Sequence, residues 1–154
     1  MRDASLIPLT HDHHHALAAC RRLRLAGEEI ETARVQGAQA FLEFFSTDAV
    51  AHFREEEELL FPLVIDEEEA QETLSRVMME HLRLHAAVSD LSVETAATTP
   101  SPQSMRHVAE MLEHHIRFEE KVVFPLIELM VGDEGLRHLS LAPRDRTAPM
   151  LSLH

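Results

Sequence analysis

The segment His52-Phe53-Arg54-Glu55-Glu56-Glu57-Glu58-Leu59-Leu60-Phe61-Pro62 repeats without a gap 63 residues later, as His115-Ile116-Arg117-Phe118-Glu119-Glu120-Lys121-Val122-Val123-Phe124-Pro125. Both copies carry a histidine, a glutamate four residues later and a Phe-Pro pair near the end. Residues four apart lie on one face of an α-helix, about 6 Å from each other. The repeat therefore predicts two helices that each present a His/Glu pair, in two related halves of one structure.

Around this repeat, apolar residues recur at helical spacing in four segments, and no hairpin dipeptide or strand pattern stands between them. The segments run from about Leu9 to Ala26, Thr32 to Ile65, Asp66 to Thr95 and Pro102 to Val131–Gly132. Their connections are short, which predicts an all-α fold with an up-down-up-down antiparallel four-helix bundle. We expect this bundle to form one domain over residues 1–132, with a C-terminal extension over 133–154 that holds a short helix or a tail.

Each predicted helix carries polar residues within the apolar stripe that should face the core. The four stripes read Leu9, His13, Leu17, Cys20, Leu23; then Phe41, Phe45, Asp48, His52, Glu56, Leu59, Leu63; then Leu74, Met78, His81, His85, Val88, Leu91; and last Met105, Val108, Leu112, His115, Glu119, Val122, Leu126, Leu129. Burying ionisable side chains without partners costs several kcal/mol each. A common counter-charge is needed, and a metal centre provides one.

Seven stripe residues are therefore candidate metal ligands: His13, His52, Glu56, His81, His85, His115 and Glu119. Imidazole and carboxylate donors together suit iron, and also manganese or zinc. Seven donors are too many for one ion. Two ions bridged by the two glutamates would use all of them and leave one position open for a small ligand.

The remaining polar residues have simpler interpretations. We expect the other histidines to lie on the surface: His11, His15, His107, His114, His138 and His154. The run Glu55–Glu58 is interpreted as a solvated face apart from Glu56, and Cys20 as a small core residue rather than a nucleophile.

Composition narrows the classes of partner. Lys and Arg total 14 against 27 Asp and Glu, a formal net charge of −13, which argues against nucleic acid and anionic membranes. No apolar run approaches the roughly 20 residues of a membrane span, and the single Cys20 cannot form an internal disulfide. We therefore expect a cytoplasmic protein. The sequence has no Gly-rich phosphate loop, CxxC pair or Ser/His/Asp arrangement that would compete with the metal site.

These motifs together resemble the hemerythrin-like, HHE cation-binding domain family, from about Leu9 to Val131. The family pattern is a His on the first helix, His-x-x-x-Glu on the second, His-x-x-x-His on the third, and a His followed four or five residues later by a carboxylate on the fourth. The resemblance implies a four-helix bundle with two non-haem iron ions joined by an oxo or hydroxo bridge, for which manganese or zinc can substitute. The pattern leaves His13 or His14, and Glu119 or Glu120, open as alternatives.

The family includes oxygen carriers, sensors and domains implicated in iron or redox regulation. The resemblance therefore implies binding of O2 or a related diatomic ligand for storage or sensing, with binding favoured over an enzyme activity. The alternative is an iron-homeostasis or oxidative- or nitrosative-stress regulator with a redox-active centre. A ferritin-like oxidase is disfavoured because the sequence has no Glu-x-x-His and no Tyr. A homodimer or an unknown protein partner stays open.

Overall fold

The structure is a computed structural model that describes residues 1–141, so residues 142–154 of the predicted extension, His154 among them, lie outside the described part. Within residues 1–141 there is no strand, and the helices are α1 (Ile7–Ala26), α2 (Glu31–Phe44), α3 (Val50–Glu55), α4 (Glu68–Ala97), α5 (Pro102–Phe118) and α6 (Phe124–Arg137). Three single π-helical turns directly continue α2, α3 and α5 without a loop: Phe45–Ala49, Glu56–Leu60 and Glu119–Val123. Two 3-10 segments, Ala4–Leu6 and Phe61–Val64, complete the elements.

These elements form four long rods, as predicted: α1, residues 31–64, α4, and α5 with α6. Each rod packs on the next around the bundle, since α1 contacts α2, α2 contacts α4, α4 contacts α5 and α5 contacts α1. The loops between the rods are short, so consecutive rods run antiparallel.

The helix boundaries follow the capping residues. Ser101 caps α5, because its Oγ accepts a hydrogen bond from the Ser104 backbone N–H at 3.0 Å. Gly27 ends α1 in a right-handed conformation, with φ at −60°. In the last rod, Gly132 has φ +76° and ψ 169°, which interrupts the helix where its end was predicted. The rod then resumes for one short turn up to Arg137.

The predicted stripes are wrong in register beyond the π turns that begin at Glu56 and Glu119. Four residues that are predicted to face the core are exposed there: Leu59, Leu63, Val122 and Leu129. Asp48, inside the turn Phe45–Ala49, is also exposed, and Ala49 is buried instead. A π turn adds one residue to a helical turn, so each stripe continues one position later. Leu60 and Val123 accordingly have 0% exposure, whereas Leu59 and Val122 have 38% and 43%.

The buried stripe of α4 also differs from the predicted one. On α4, Val77 and Leu84 have 0% exposure, and the neighbouring Met78 and His85 are exposed. Steps of three and of four residues both keep a side chain on one helix face, so the apolar pattern allowed either choice. The buried stripe takes the step of three from His81 to Leu84.

The core consists of two apolar clusters with a polar layer between them. One cluster contains Leu23, Phe41 and Leu112, and the other contains Leu9, Phe61 and Ile127. Cys20 belongs to the first cluster, and burial raises the pKa of its thiol to about 12, which fits the predicted packing role. On every rod, the residues between the two clusters are the polar stripe residues. No helix within residues 1–141 has the length and apolar character needed to cross a membrane.

Candidate metal centre

Six polar side chains from all four rods meet in the middle layer of the bundle. Their residues are His13, His52, Glu56, His81, His115 and Glu119, all at most 4% exposed. The four-residue spacing places each glutamate one turn after its histidine, and the following π turn begins at that glutamate. The two side chains of each pair, His52 with Glu56 and His115 with Glu119, therefore face the same region of the core.

The six residues form two groups that share their carboxylates. One group is His13, His52, Glu56 and Glu119, and the other is Glu56, His81, His115 and Glu119. Within each group the ligand atoms lie within 4.8 Å of one another. Each group therefore offers nitrogen and oxygen donors that could hold a metal ion.

The individual distances show how closely the donors converge. Nε2 of His52 lies 3.1 Å from a Glu56 oxygen, and Nε2 of His81 lies 3.4 Å from the other. Around Glu119, Nε2 of His13 and of His115 lie 3.0 and 3.2 Å from Oε1.

Most of these inward-facing atoms lack a hydrogen-bond partner among residues 1–141. They are Nε2 of His52, His81 and His115, both carboxylate oxygens of Glu56, and Oε2 of Glu119. Buried polar atoms nearly always have a hydrogen-bond partner. Six such unpartnered atoms at one point are what a site for positively charged ions requires.

Each histidine of the centre also contacts an outer carboxylate through its other ring nitrogen. Nδ1 of His13 donates to Glu120 at 2.6 Å, and Nδ1 of His52 donates to Asp12 at 2.9 Å. In the other half, Nδ1 of His81 donates to Glu57 at 2.7 Å and Nδ1 of His115 donates to Glu80 at 2.8 Å. These bonds leave Nε2 of every ring directed at the centre.

The two shared glutamates have opposite pKa shifts. Burial, and then the negative charge of Glu119, raises the pKa of the Glu56 carboxyl to about 8. Burial also opposes ionisation of Glu119, but the positive charge of His115, whose Nε2 lies 3.2 Å away, and the contact with His13 at 3.0 Å hold the pKa of that carboxyl well below its ordinary value. For His115, burial favours the neutral ring, yet Glu119 and Glu80 raise its pKa to about 10. Without a metal, these shifts favour a proton on Glu56 and on His115 at neutral pH.

Of the seven predicted ligands, the structure brings six together and leaves His85 outside both groups. The His85 side chain is exposed, because Leu84 takes the core-facing position on α4. Its ring meets the rings of Phe45 and Phe53 edge-on, with centroids 5.6 and 5.9 Å away. Phe53 itself stacks on His81 at 4.1 Å, so an aromatic ring occupies the space beside the centre on this side.

The alternative ligand residues on the first and fourth helices differ in burial and in partners. His14 is exposed, whereas its neighbour His13 is buried in the first group. Glu119 belongs to both groups, whereas Glu120 is one of the outer carboxylates. Among the other histidines, His15 is half-buried, and His11, His107, His114 and His138 are exposed.

The outer carboxylates are not among the site residues that the sequence predicts. The run Glu55–Glu58 was predicted to be a solvated face, but Glu58 alone of the four is exposed. A signal was present: Asp12 and Glu80 each precede a stripe histidine, and Glu57 and Glu120 each follow a stripe glutamate. The same acidic neighbour at equivalent positions of a repeat is unexpected for a surface that only faces water.

Comparison with known families agrees with this geometry. The sequence profile of the hemerythrin HHE cation-binding domain matches residues 8–127 of the chain. No curated protein and no solved structure matches the chain significantly. The matched range contains all six residues of the centre.

Proposed function

The chain belongs to the hemerythrin HHE cation-binding domain family, and on that premise we propose that its core holds two iron ions and binds O2 or a related diatomic ligand for storage or sensing. The observation that carries this proposal is the convergence of six buried polar atoms without hydrogen-bond partners among residues 1–141. Cations at this point would satisfy them all.

The donor set fits iron. His13 and His52 would hold one ion and His81 and His115 the other, with Glu56 and Glu119 between the two. Mixed imidazole and carboxylate donors suit non-haem iron, and they also accept manganese or zinc. Each ion would receive two nitrogen donors and a share of two carboxylates, which leaves coordination positions for a small ligand.

When bound, two iron ions would supply a redox-active centre with open positions for a small ligand. The protein would supply the rest. Four neutral imidazoles bring less negative charge than carboxylates and so favour reversible ligand binding over oxidising chemistry. The apolar clusters above and below keep bulk water out of the layer, and the burial of all six side chains restricts access to small ligands.

A second candidate function is redox-linked regulation, and the outer carboxylates favour it. Four of them surround the histidines: Asp12, Glu57, Glu80 and Glu120. Their negative charge would stabilise iron ions of higher charge and so the oxidised centre. A partner that senses the oxidised bundle would then complete a stress or iron-homeostasis response.

One experiment separates these functions. Iron content and the visible spectrum are measured on untagged protein, reduced and then exposed to air, and the cycle is repeated. Two irons per chain with absorption bands that appear with O2 and fade on its removal support the binding function. Two irons that oxidise once without reversal support redox regulation, and a folded protein that takes up no metal contradicts both.

Ligand variants test the assignment of residues. We expect His81→Ala to lose one of two irons, because its Nε2 faces the centre without a partner. His85→Ala, one turn further along the same helix, is the matched control and should keep both irons. Loss of an iron from His85→Ala would instead make His85 the seventh ligand and require Phe53 to move.

A further inference from the structure

The four outer carboxylates form a closed ring that links the four rods. Asp12 of α1 accepts from His52 on α3, and Glu57, next to α3, accepts from His81 on α4. Glu80 of α4 then accepts from His115 on α5. The ring closes when Glu120, in the π turn after α5, accepts from His13 on α1. We call Asp12, Glu57, Glu80 and Glu120 the ring carboxylates.

The ring carboxylates occupy two kinds of sequence position relative to the histidines. Asp12 and Glu80 each stand one residue before a histidine of the centre, and Glu57 and Glu120 each stand five residues after one. Every rod therefore contributes one histidine and one acceptor, and each acceptor serves the histidine of a neighbouring rod. Hydrogen bonds of 2.6 to 2.9 Å to a carboxylate are short enough to fix the orientation of an imidazole.

Resting on the proposed function, we propose that the ring carboxylates are positioning residues, and that they set the affinity of the two ions separately, one pair of carboxylates for each ion. Asp12 and Glu120 orient the histidines of the first group, His52 and His13. Glu57 and Glu80 orient those of the second, His81 and His115. A carboxylate that accepts from Nδ1–H fixes the tautomer in which Nε2 has no hydrogen and its lone pair can bind a metal. It also makes Nε2 more basic.

Further contacts hold two of the ring carboxylates in place. The Thr10 hydroxyl donates to Glu120 at 2.9 Å, and the Arg2 guanidinium lies 3.2 Å from its other oxygen. The Arg76 side chain donates to Glu80 at 3.0 Å. Side-chain exposures of 27% for Glu120 and 21% for Glu80 show that both reach the edge of the bundle. Such anchoring is expected for groups that must hold an imidazole still.

The test measures the two stepwise dissociation constants for ferrous iron, without oxygen and against a competing chelator. The same-ion double variant Glu57→Gln/Glu80→Gln should leave one ion at wild-type affinity and weaken the other by at least about 10-fold, since loss of one such partner costs 10–100-fold. The cross-ion double variant Glu57→Gln/Glu120→Gln should weaken both ions. Both variants remove the same number of negative charges, so a general charge effect predicts identical titration curves.

The exposed Glu58, next to Glu57, provides a matched single control as Glu58→Gln. A second readout is the set of four Nδ1–H proton signals in the metal-free protein, observed by nitrogen-resolved NMR. Glu57→Ala should remove or shift the signal of His81 alone. A variant that fails to fold would lose all four signals, so misfolding and loss of positioning are distinguishable.

The outcomes separate this proposal from the function on which it rests. Wild-type protein that binds no iron contradicts both. Two tightly bound ions in the wild type, with ring variants that behave as Glu58→Gln, overturn the positioning role and leave the proposed function intact. Identical curves for the same-ion and cross-ion variants also overturn it, because the carboxylates would then act only through total charge.

Discussion

Glu56 and Glu119 occupy equivalent positions of the internal repeat, yet their pKa values shift in opposite directions. Both are fully buried, and two adjacent carboxylates cannot both carry charge at low cost. His13 and His115 lie nearest to Glu119, at 3.0 and 3.2 Å, and stabilise its charge. Glu56 also has histidines close by, with Nε2 of His52 at 3.1 Å and of His81 at 3.4 Å, so the number of contacts does not explain its raised pKa. The asymmetry arises because Glu119 lies beside the charged His115, whereas Glu56 is buried beside the negative charge of Glu119.

This difference predicts how metal-free stability depends on pH. The pKa of Glu56 is raised to about 8 and that of His115 to about 10, so both groups bind protons more tightly in the folded chain than in the unfolded one. Their contribution to stability is complete below their unfolded pKa values and is lost as the pH rises toward the folded ones. We expect the unfolding free energy of chelated protein to fall from about pH 6.5 to about pH 8, as measured by denaturant titration.

Glu56→Gln is the control, because it removes one of the two groups and should make the fall smaller. A stability that stays level or increases over this interval would contradict the assignment of protons to Glu56 and His115. Iron requires both groups to lose their protons, so its affinity should rise over the same interval.

The sequence could predict the buried residues of the centre better than the outer carboxylates that bond to its histidines. The four-residue spacing and the repeat were enough to place Glu56 and Glu119 in the core, where both are fully buried, because a carboxylate on an apolar stripe must find a counter-charge there. His85 has the same four-residue spacing from His81, yet its side chain is exposed and belongs to neither group. Periodicity could not predict this, because steps of three and of four residues both keep a side chain on one helix face. Glu57 looked like a surface residue because its partner, His81, lies on another rod.

At the scale of the helical elements, the π turns decide which residues reach the core. Each of the turns at Glu56–Leu60 and Glu119–Val123 begins at a shared glutamate and is followed by a Phe-Pro pair. Proline lacks a backbone N–H, so the regular hydrogen-bond pattern cannot continue through it. A single added residue leaves no mark on an apolar pattern, which is why the predicted stripes fail beyond these glutamates.

The register shift is tested by a pair of neighbouring leucines. Leu60 is fully buried and Leu59 is 38% exposed, although the regular period predicts the reverse. We expect Leu60→Ala to lower the unfolding free energy by about 2–5 kcal/mol, as is usual for a buried leucine, and Leu59→Ala to change it by under about 1 kcal/mol. Denaturant unfolding of both variants measures the difference. Equal losses of unfolding free energy, or a larger loss for Leu59→Ala, would contradict the register shift and support a regular helix through this segment.

For the whole molecule, the four-helix bundle and its two related halves follow from the periodicity, the short loops and the internal repeat, and the structure confirms the bundle. The boundary at residue 132 stays a prediction, since Gly132 marks a break in a rod rather than the edge of a domain. The sequence could not show that the polar layer lies between two closed apolar clusters. That layering depends on where the π turns place Leu60 and Val123.

In this layered core, the polar centre should lower the stability of the protein when no metal is bound. The carboxylate oxygens of Glu56 have no hydrogen-bond partner among residues 1–141, and an unsatisfied buried polar group costs about 1–3 kcal/mol. Glu56→Met replaces the carboxyl with an apolar group of similar length. We therefore expect the variant to be more stable than the wild type by about that amount when both are free of metal.

With iron the order should reverse, because the wild type gains about 4 kcal/mol at a free iron concentration about 1,000 times its dissociation constant, whereas the variant has lost a shared ligand. Denaturant unfolding of both proteins, with chelator and with ferrous iron in the absence of oxygen, gives the four free energies. Glu58→Met, at an exposed position, should follow the wild type in both conditions. A metal-free Glu56→Met protein less stable than the wild type would show that the Glu56 carboxyl stabilises the fold by itself, and that the polar layer does not depend on a metal ion.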